Sequence, residues 1–548
     1  MAQQFDRAVV WGGSQDDNAT RIIQDASGNF YVLGSYSGNS DFPMGQLQGY
    51  GFQDVYVIKL TEDGSAEWQI GIGGAGTDQA SSIAFDENGD ILVAGRFQGS
   101  IDLDPGTGQS LLNSNPSGAL DGFIARYSAT NGALLQQFDI TSGGTIDIKS
   151  MQSAENGDIY IAGQFAQTVD FDFGSGTRQA ISNVNSGDAF VGRYTSDLDL
   201  IWVNPIGSMT PAIDYFSDVK ISPDGGVYVT GLIGGLADID PGAGQTNLNG
   251  AIDAVLIRYD RADGSLDWGF LLGGNSVDLG VSLMLTEEMD IIVTGSMNSS
   301  SLDADPGPGV VNINKTGSVA TPFVLRYSSS ATYINGFAYD ASNVSSLNVN
   351  RMIPSYGGTI IVLGNFTGSF DVNPGTGTET IQSQGGSTDA FFIQYEPDWS
   401  PSRKVQISGA GAENLNDAIV SGIYLYGVAQ FENQCFPQSG SSEVVSAVGD
   451  GLDAAFMVWN TNPEVLENTP AHNRQLLLYP NPAENFVIIS GCTPQEEVVI
   501  TDITGRTIHP AMTGNKADVS NLANGVYTIH VLRTDGVLST SKLLIQNK

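Results

Sequence analysis

Asp86-Glu87-Asn88-Gly89-Asp90-Ile91-Leu92-Val93-Ala94-Gly95 is the stretch on which the reading of this 548-residue chain turns. A turn-forming tetrapeptide leads into an apolar run of strand length that closes on glycine, the pattern of a β-hairpin. Variants recur throughout the chain before residue 460, aligned on Gly34, Gly95, Gly163, Gly231, Gly295, Gly364 and Gly427, 61 to 69 residues apart. That spacing is regular enough for one duplicated unit and too long for a solenoid coil.

Each unit carries four strand signals. A short first run (Thr20 to Gln24, Ser82 to Phe85, Asp218 to Ile221) precedes the run that ends at the anchoring glycine. The third run is Asp54 to Leu60, Asp121 to Tyr127, Asp188 to Tyr194, Asp253 to Tyr259, Thr321 to Tyr327, Asp389 to Tyr395 and Asp453 to Trp459. The fourth carries Trp68, Trp202 and Trp268, and closes on Gly73-Gly74 in the first unit and Gly273-Gly274 in the fourth. Four antiparallel strands repeated seven times predict an all-β chain with a seven-bladed β-propeller over residues 1–460, each unit burying its faces against its neighbours. The seventh unit has no fourth strand after Trp459, whereas Phe5 to Gly13 looks like a fourth strand with no first three; residues 5–11 are therefore expected to complete the seventh blade. The unit resembles the β-propeller repeats of secreted bacterial proteins, a likeness carried by Asp86 to Gly95, and one that implies a fold and no particular activity.

Composition narrows the function classes. Glycine at 68 residues and a charged fraction of 15% suit many short strands and tight turns. The formal net charge is −38, of which −37 lies in residues 1–475, a field that repels nucleic acid and attracts cations or basic partners. It equally suits a large soluble surface. No apolar run is long enough to span a membrane as a helix. Cys435 and Cys492 fall in different segments and form neither a disulfide framework nor a zinc site. Histidine is absent before His472, so a Ser/His/Asp or Cys/His arrangement has no place in the repeats.

The texture changes after a polar, proline-containing stretch at 461–475, read as a linker. From 476 to 548, strand-length apolar segments separated by turn residues predict a small β-sandwich. Four motifs stand there in order: Tyr479-Pro480-Asn481-Pro482-Ala483, Ile503-Thr504-Gly505-Arg506, Leu522-Ala523-Asn524-Gly525-Val526-Tyr527 and Ser541-Lys542-Leu543-Leu544-Ile545. The segment resembles the type A sorting domain of the type IX secretion system of Bacteroidota, with Tyr479, Pro480, Asn481, Pro482, Gly505, Arg506, Gly525, Tyr527 and Lys542 as the sorting-signal residues. The resemblance implies export across the outer membrane, contact with the secretion machinery and a surface sortase, cleavage near 460–475, and release or attachment to lipopolysaccharide. The Met1-Ala2 start has no signal region, so an exported chain is expected to have lost its signal peptide, with Met1 added for expression.

The repeats also carry a paired-acid turn: Asp102-Leu103-Asp104-Pro105-Gly106, Asp170-Phe171-Asp172-Phe173-Gly174, Asp238-Ile239-Asp240-Pro241-Gly242, Asp303-Ala304-Asp305-Pro306-Gly307 and Asp371-Val372-Asn373-Pro374-Gly375. Residues two apart on an extended segment point the same way, so Asp102/Asp104, Asp170/Asp172, Asp238/Asp240, Asp303/Asp305 and Asp371/Asn373 could each share Ca²⁺. The other reading is structural: Pro presets φ, Gly takes φ > 0 and Asp caps amides. Units one and seven carry Asp41-Phe42-Pro43 and Cys435-Phe436-Pro437 instead. These turns fall between the second and third strands, on the expected ligand face. Repetition of Arg126-Tyr127, Arg193-Tyr194, Arg258-Tyr259 and Arg326-Tyr327 at one strand position argues for packing between blades.

Three functional readings follow. The first is a non-catalytic binding or adhesion module for a surface protein or glycan, with no catalytic residue and no certain cofactor. The second is an extracellular glycan-active hydrolase or lyase using propeller carboxylates. The third is a Ca²⁺-dependent structural surface component.

Overall fold

The computed structural model describes residues 4–114, 120–138, 140, 144–174, 176–183, 187–210, 212–438, 443–449 and 451–460, and, in the C-terminal segment, 478–479, 483, 485–489, 497–502, 506–513, 516–532 and 538–545. The 461–475 stretch and Pro480, Asn481, Pro482 and Gly505 lie outside them. No α-helix occurs among the described residues. The larger of two compact units is formed by Phe5–Val420 and Leu425–Trp459, and the smaller centres on the C-terminal segment.

Within the larger unit every repeat is an antiparallel sheet in sequence order. Sheet 1 comprises Asn18–Gln24, Phe30–Tyr36, Asp54–Leu60 and Ala66–Gly74; sheet 2, Gln79–Phe85, Ile91–Phe97, Asp121–Tyr127 and Leu134–Phe138; sheet 3, Thr145–Ser153, Ile159–Ala166, Asp188–Tyr194 and Leu200–Ile206. Sheet 4 comprises Tyr215–Ile221, Gly226–Asp238, Asn247–Asp260 and Leu266–Leu272; sheet 5, Asp278–Leu285, Ile291–Met297, Thr321–Tyr327 and Tyr333–Ala338; sheet 6, Asn343–Pro354, Ile360–Asp371, Asp389–Tyr395 and Pro401–Gly409. Sheet 7 has Glu413–Ser421, Tyr424–Glu432 and Leu452–Asn460, and its fourth position is taken by Gln4–Gly13.

The opening stretch does what its residues dictate. Asp86 Oδ1 accepts the amides of Asn88 at 2.8 Å and Asp90 at 2.9 Å, and Gly89 sits at φ 81°, so the chain reverses and Ile91–Phe97 pairs back on Gln79–Phe85. Ile91, Leu92, Val93 and Ala94 are all fully buried, because a neighbouring sheet covers each face. Apolar cores shared by successive sheets run from the first pair to the last: Tyr31, Val57 and Trp68 of sheet 1 pack with Ile91, Val93 and Phe123 of sheet 2, and Leu363 and Phe392 of sheet 6 pack with Leu425 and Trp459 of sheet 7. Between sheets 7 and 1, Phe30 packs in a tilted arrangement against Tyr426 with ring centroids 4.3 Å apart.

The anchoring glycine does not end its strand, as expected from sequence; it lies inside it, two residues short of the end in Ile91–Phe97. A Cβ at Gly34, Gly95, Gly163, Gly231, Gly295 or Gly364 would strike a backbone carbonyl of the first strand. Opposite each, the first strand slips register by one residue, between Ala19 and Arg21, Ala80 and Ser82, Ile148 and Ser150, Phe216 and Asp218, Gly280 and Ser282, and Val349 and Arg351. These slips are β-bulges, each made possible by a facing residue without a side chain.

The C-terminal unit is a sandwich of two antiparallel sheets, one holding Leu478–Tyr479, Phe486–Ile489, Met512–Thr513 and Lys516–Asp518, the other Glu497–Asp502, Thr507–Ile508, Gly525–Leu532 and Leu538–Ile545. Val487, Ile500, Ile529, Val531 and Leu543 fill the space between them.

Candidate functional site

Between the second and third strands, each repeat inserts a small hairpin. In sheets 1, 2 and 7 this hairpin pairs with the fourth strand of the preceding sheet: Ser40 with Gly13, Ile101 with Gly74, and Cys435 with Gly409. The Gly-Gly closures are thereby explained. A Cβ on the first glycine (Gly12, Gly73, Gly273) would strike the Asp that opens the third strand, and one on the second (Gly13, Gly74, Gly274, with Gly409 in sheet 6) would strike the arriving hairpin.

The paired-acid turn sits on this hairpin, and its alternation has a packing cause. Ile101 and Leu103 are fully buried in the core shared with sheet 1, so Asp102 and Asp104 point outward together. Asp102 Oδ1 accepts the amides of Asp104 at 3.1 Å and Ser110 at 2.8 Å, and Asp104 Oδ1 accepts that of Gly106 at 2.8 Å. The same bonds recur at Asp170 and Asp172, at Asp238 and Asp240, at Asp303 and Asp305, and at Asp371 and Asn373. One oxygen of every pair member thus caps the turn, and among the described residues no group of three His, Cys, Asp or Glu side chains stands together as a cation cage.

Each turn is tied to its own sheet through the aromatic that closes the third strand. Tyr127 Oη donates to the Leu103 carbonyl at 2.9 Å, Tyr259 to Ile239 at 3.2 Å, Tyr327 to Ala304 at 2.8 Å and Tyr395 to Val372 at 2.8 Å. In the seventh repeat, Trp459 Nε1 replaces the phenol and donates to Pro437 at 2.9 Å. Sheet 3 differs because Phe173 replaces proline and stacks on Tyr194 at 4.9 Å. The arginines preceding these tyrosines pair within their own sheets with acids of the first turn, Arg126 with Asp86 at 3.1 Å, Arg193 with Asp158 at 2.5 Å and Arg326 with Asp290 at 2.8 Å, and Arg193 Nη1 also donates to the Arg261 carbonyl of the next sheet at 2.6 Å. They are structural, in keeping with the packing reading of the Arg-Tyr pairs.

The residues that sequence reading missed are acids at the junctions between repeats. The Asp that opens a third strand lies beside an acid that opens the next first strand: Asp54 with Asp78, Asp188 with Asp214, Asp253 with Asp278, Asp389 with Glu413, and Asp453 with Asp17. The second member reaches across the junction, Asp78 Oδ2 accepting the Gly74 amide at 2.6 Å and Asp278 Oδ2 the Gly274 amide at 3.0 Å. All are buried, and burial, reinforced by the neighbouring carboxylate, pushes Asp78 and Asp17 up to about 7, Asp188 and Asp253 to about 6, and Glu413 to about 9; Asp389 rises to about 6 by burial. The signal was present in the sequence as the Asp four residues after each Gly-Gly, in Gly74 to Asp78 and Gly274 to Asp278.

Beside the Asp102 turn opens a cavity of about 810 Å³ lined by Tyr50, Gly73, Ser100, Asp102, Asp104 and Gln109 among others. Tyr50 is 58% exposed and the nearby Phe52 77%, and further exposed apolar side chains, Met44, Leu111, Ile181 and Val310, belong to the same set of hairpins. The hairpin loops also meet the connections between sheets, Phe52 N donating to Gly76 O at 2.9 Å and Asp78 N to Gln53 O at 2.8 Å. Of the sorting-signal residues, Tyr527 is buried and donates to the Ala523 carbonyl at 2.9 Å, Arg506 is exposed, and Gly525 and Lys542 pair with Ile545 and Thr528 across neighbouring strands.

Comparison with known proteins accords with both halves of this description. Residues 477–546 match the family described as the Secretion system C-terminal sorting domain, and residues 67–96 match the Beta-propeller repeat. The chain is thus a secreted protein of the Bacteroidota type, a β-propeller repeat protein with a type IX secretion sorting tail. It is 22% identical to an uncharacterized WD repeat-containing protein of Acanthamoeba polyphaga mimivirus over 94% of this chain and 41% of that one, so it spans about two fifths of that relative's length. Among solved structures it is similar to Sqt1 of Chaetomium thermophilum (TM-score 0.38, 10% identity, 85% of this chain and 100% of that one). It is also similar to a protein of unknown function from Dyadobacter fermentans (TM-score 0.35, 9% identity, 84% and 99%), and both likenesses are too slight to bear on blade number or function. No helix among the described residues is long and apolar enough to cross a membrane.

Proposed function

We propose that residues 1–460 close into a seven-bladed β-propeller serving as a non-catalytic binding module, joined through 461–475 to the sorting domain at 476–548, which delivers it to the cell surface. Support for closure comes from the place of Gln4–Gly13 in sheet 7 and from bonds that link the first strands of sheets 6, 7 and 1: Asn350 Nδ2 to Leu415 O at 2.8 Å, and Asn416 Nδ2 to Ala19 O at 2.8 Å. The ligand face is the edge bearing the hairpins, and the ligand class is a surface glycan.

The observation that carries this reading is the cavity at the Asp102 turn with exposed Tyr50 on its wall. An aromatic face offers the apolar side of a sugar ring a surface, and the outward Oδ2 atoms of Asp102 and Asp104 can accept from hydroxyls. The hydrolase reading has less support, because the acids on the first strands pair with cations: Asp218 with Lys220 at 3.2 Å, Asp417 with Arg351 at 2.9 Å, and Asp147 with Lys149 at 2.9 Å. A glycan array probed with the intact chain tests the proposal: binding lost in Tyr50→Ala and kept in Lys315→Gln supports it, and binding indifferent to Tyr50→Ala, or none, overturns it.

A further inference from the structure

The bulges opposite the anchoring glycines have a consequence away from the hairpin face. Each pushes one extra residue of a first strand, Thr20, Ser81, Lys149, Ser217, Val281 or Asn350, into a cavity of about 540 Å³. A second cavity of about 410 Å³ adjoins it, sharing Arg351 and lined by residues of the first strands that follow the bulges. Bulges re-aim side chains, and here they re-aim an unusual set.

Residues 1–475 carry a net charge of −37 and hold 17 Lys and Arg side chains, yet five of these, Arg21, Arg96, Lys149, Lys220 and Arg351, line the two cavities. Among the described residues, three acids line them. Asp147 is occupied by Lys149 at 2.9 Å and Arg96 at 3.3 Å. Asp218 is occupied by Lys220, the Ser150 hydroxyl at 2.9 Å and the Leu283 amide at 2.9 Å, and Asp417 by Arg351. Arg21 is left over: among the described residues it makes no ion pair, and its guanidinium donates one bond, from Nη1 to the Thr20 carbonyl at 3.1 Å. Burial first and then the Arg351 charge lower the Arg21 pKa, while the nearby Asp417 and Asp218 carboxylates act in the opposite direction. Arg351 is paired with Asp417, whereas the half-buried Arg21 beside them has donors to spare, and a guanidinium offers five donors in a fork that matches a planar or tetrahedral oxyanion.

We propose that these cavities form a binding site for a small oxyanion-bearing ligand, a sugar carrying a carboxylate, sulfate or phosphate, with Arg21 and Arg351 gripping the oxyanion. The neutral polar rim supplied by Thr20, Gln79, Ser81, Gln164, Ser217 and Asn350 suits hydroxyl groups, and the volume suits one or two sugar rings. The site is separate from the hairpin face and stands or falls independently of it.

Calorimetric titration of the full chain with glucuronate, glucose 6-sulfate and glucose 6-phosphate tests the site, with glucose and inorganic sulfate and phosphate as the comparison arms. At least one of the acidic sugars is expected to bind, glucose not, and Arg21→Gln to weaken binding at least tenfold while keeping the parent far-UV circular dichroism, since no carboxylate loses its partner. Lys149→Gln, which leaves Asp147 paired with Arg96, is a second variant expected to weaken binding. Absence of binding by all three acidic sugars overturns the proposal, as does unchanged affinity in both variants. Binding of inorganic anions as tight as that of the sugars overturns the sugar assignment.

Discussion

Glu413→Gln should stabilise this protein at pH 8 and leave it nearly unchanged at pH 4. Glu413 opens the first strand of sheet 7 with 1% of its surface exposed, and burial followed by the Asp389 charge raises its pKa from 4.5 to about 9. Below pH 4.5 the carboxyl is protonated folded and unfolded, and its folded-state stability is fully present. Between pH 4.5 and about 9 the unfolded chain releases a proton that the folded chain keeps, so stability is lost steadily as pH rises, and the loss levels off above the folded pKa. At about 1.4 kcal/mol per pKa unit, the cost at pH 8 is on the order of 5 kcal/mol. Glutamine has the shape of the protonated acid and brings no second negative charge near the Asp389 carboxylate. With an unfolding entropy of about 2 cal/mol/K per residue over Phe5–Trp459, 1 kcal/mol shifts Tm by about 1 °C, so the variant should melt about 5 °C higher at pH 8. Scanning calorimetry of both proteins at pH 4 and pH 8 measures the difference. An equal offset at the two pH values, or a lower Tm for the variant at pH 8, refutes the reasoning.

Three shorter predictions concern the hairpin turns and the terminal strand. Tyr127→Phe should cost about 1 kcal/mol by removing the bond to Leu103, and Tyr194→Phe close to nothing, since Tyr194 Oη has no hydrogen-bond partner; urea unfolding compares them. Removing residues 1–13 takes out the strand that buries Trp11 completely and Phe5 to 9% exposure, and should lower Tm by at least 5 °C in a thermal melt. Asp102→Ala should cost about 2 kcal/mol through two lost amide bonds, and neither Ca²⁺ nor EDTA should shift the melt of the parent; a calcium-dependent shift would instead assign the outward carboxylate oxygens to a cation.

The strands were legible because their determinants are local. The third-strand limits Asp121–Tyr127, Asp188–Tyr194 and Asp389–Tyr395 follow directly from apolar runs bounded by an acid and an aromatic, and Asp54–Leu60 and Thr321–Tyr327 from the same run with Leu60 or Thr321 at one end. The Asx cap at Asp102 was likewise open to inspection, whereas the φ > 0 expected at Gly106, Gly242, Gly307 and Gly375 is not adopted, because the Asp caps already close these turns. What escaped were features made by two distant segments. Gly73 reads as the end of a strand, and only the folded chain places the Asp54 carboxylate where its Cβ would be. Gly95 reads as punctuation, and only the pairing register reveals the bulge at Ser81 that it permits. Arg21 and Arg351 are 330 positions apart and belong to sheets that meet through sheet 7. No periodicity in the sequence connects them.

The junction acids also bear on why the repeats cannot stand alone. Each pair takes one carboxyl from either side of a junction, with Asp54 supplied by sheet 1 and Asp78 by sheet 2. The amide that Asp78 accepts belongs to Gly74 of the preceding sheet. In an isolated repeat both acids would be solvated, would ionise near pH 4, and would lose the partner amide. Stacking the next repeat buries them, and at neutral pH that step takes up protons wherever the folded pKa is about 7 or higher, as at Asp78, Asp17 and Glu413. Assembly of this unit is therefore coupled to proton binding, which also lessens the negative charge that a chain of formal charge −38 must bring together when it folds.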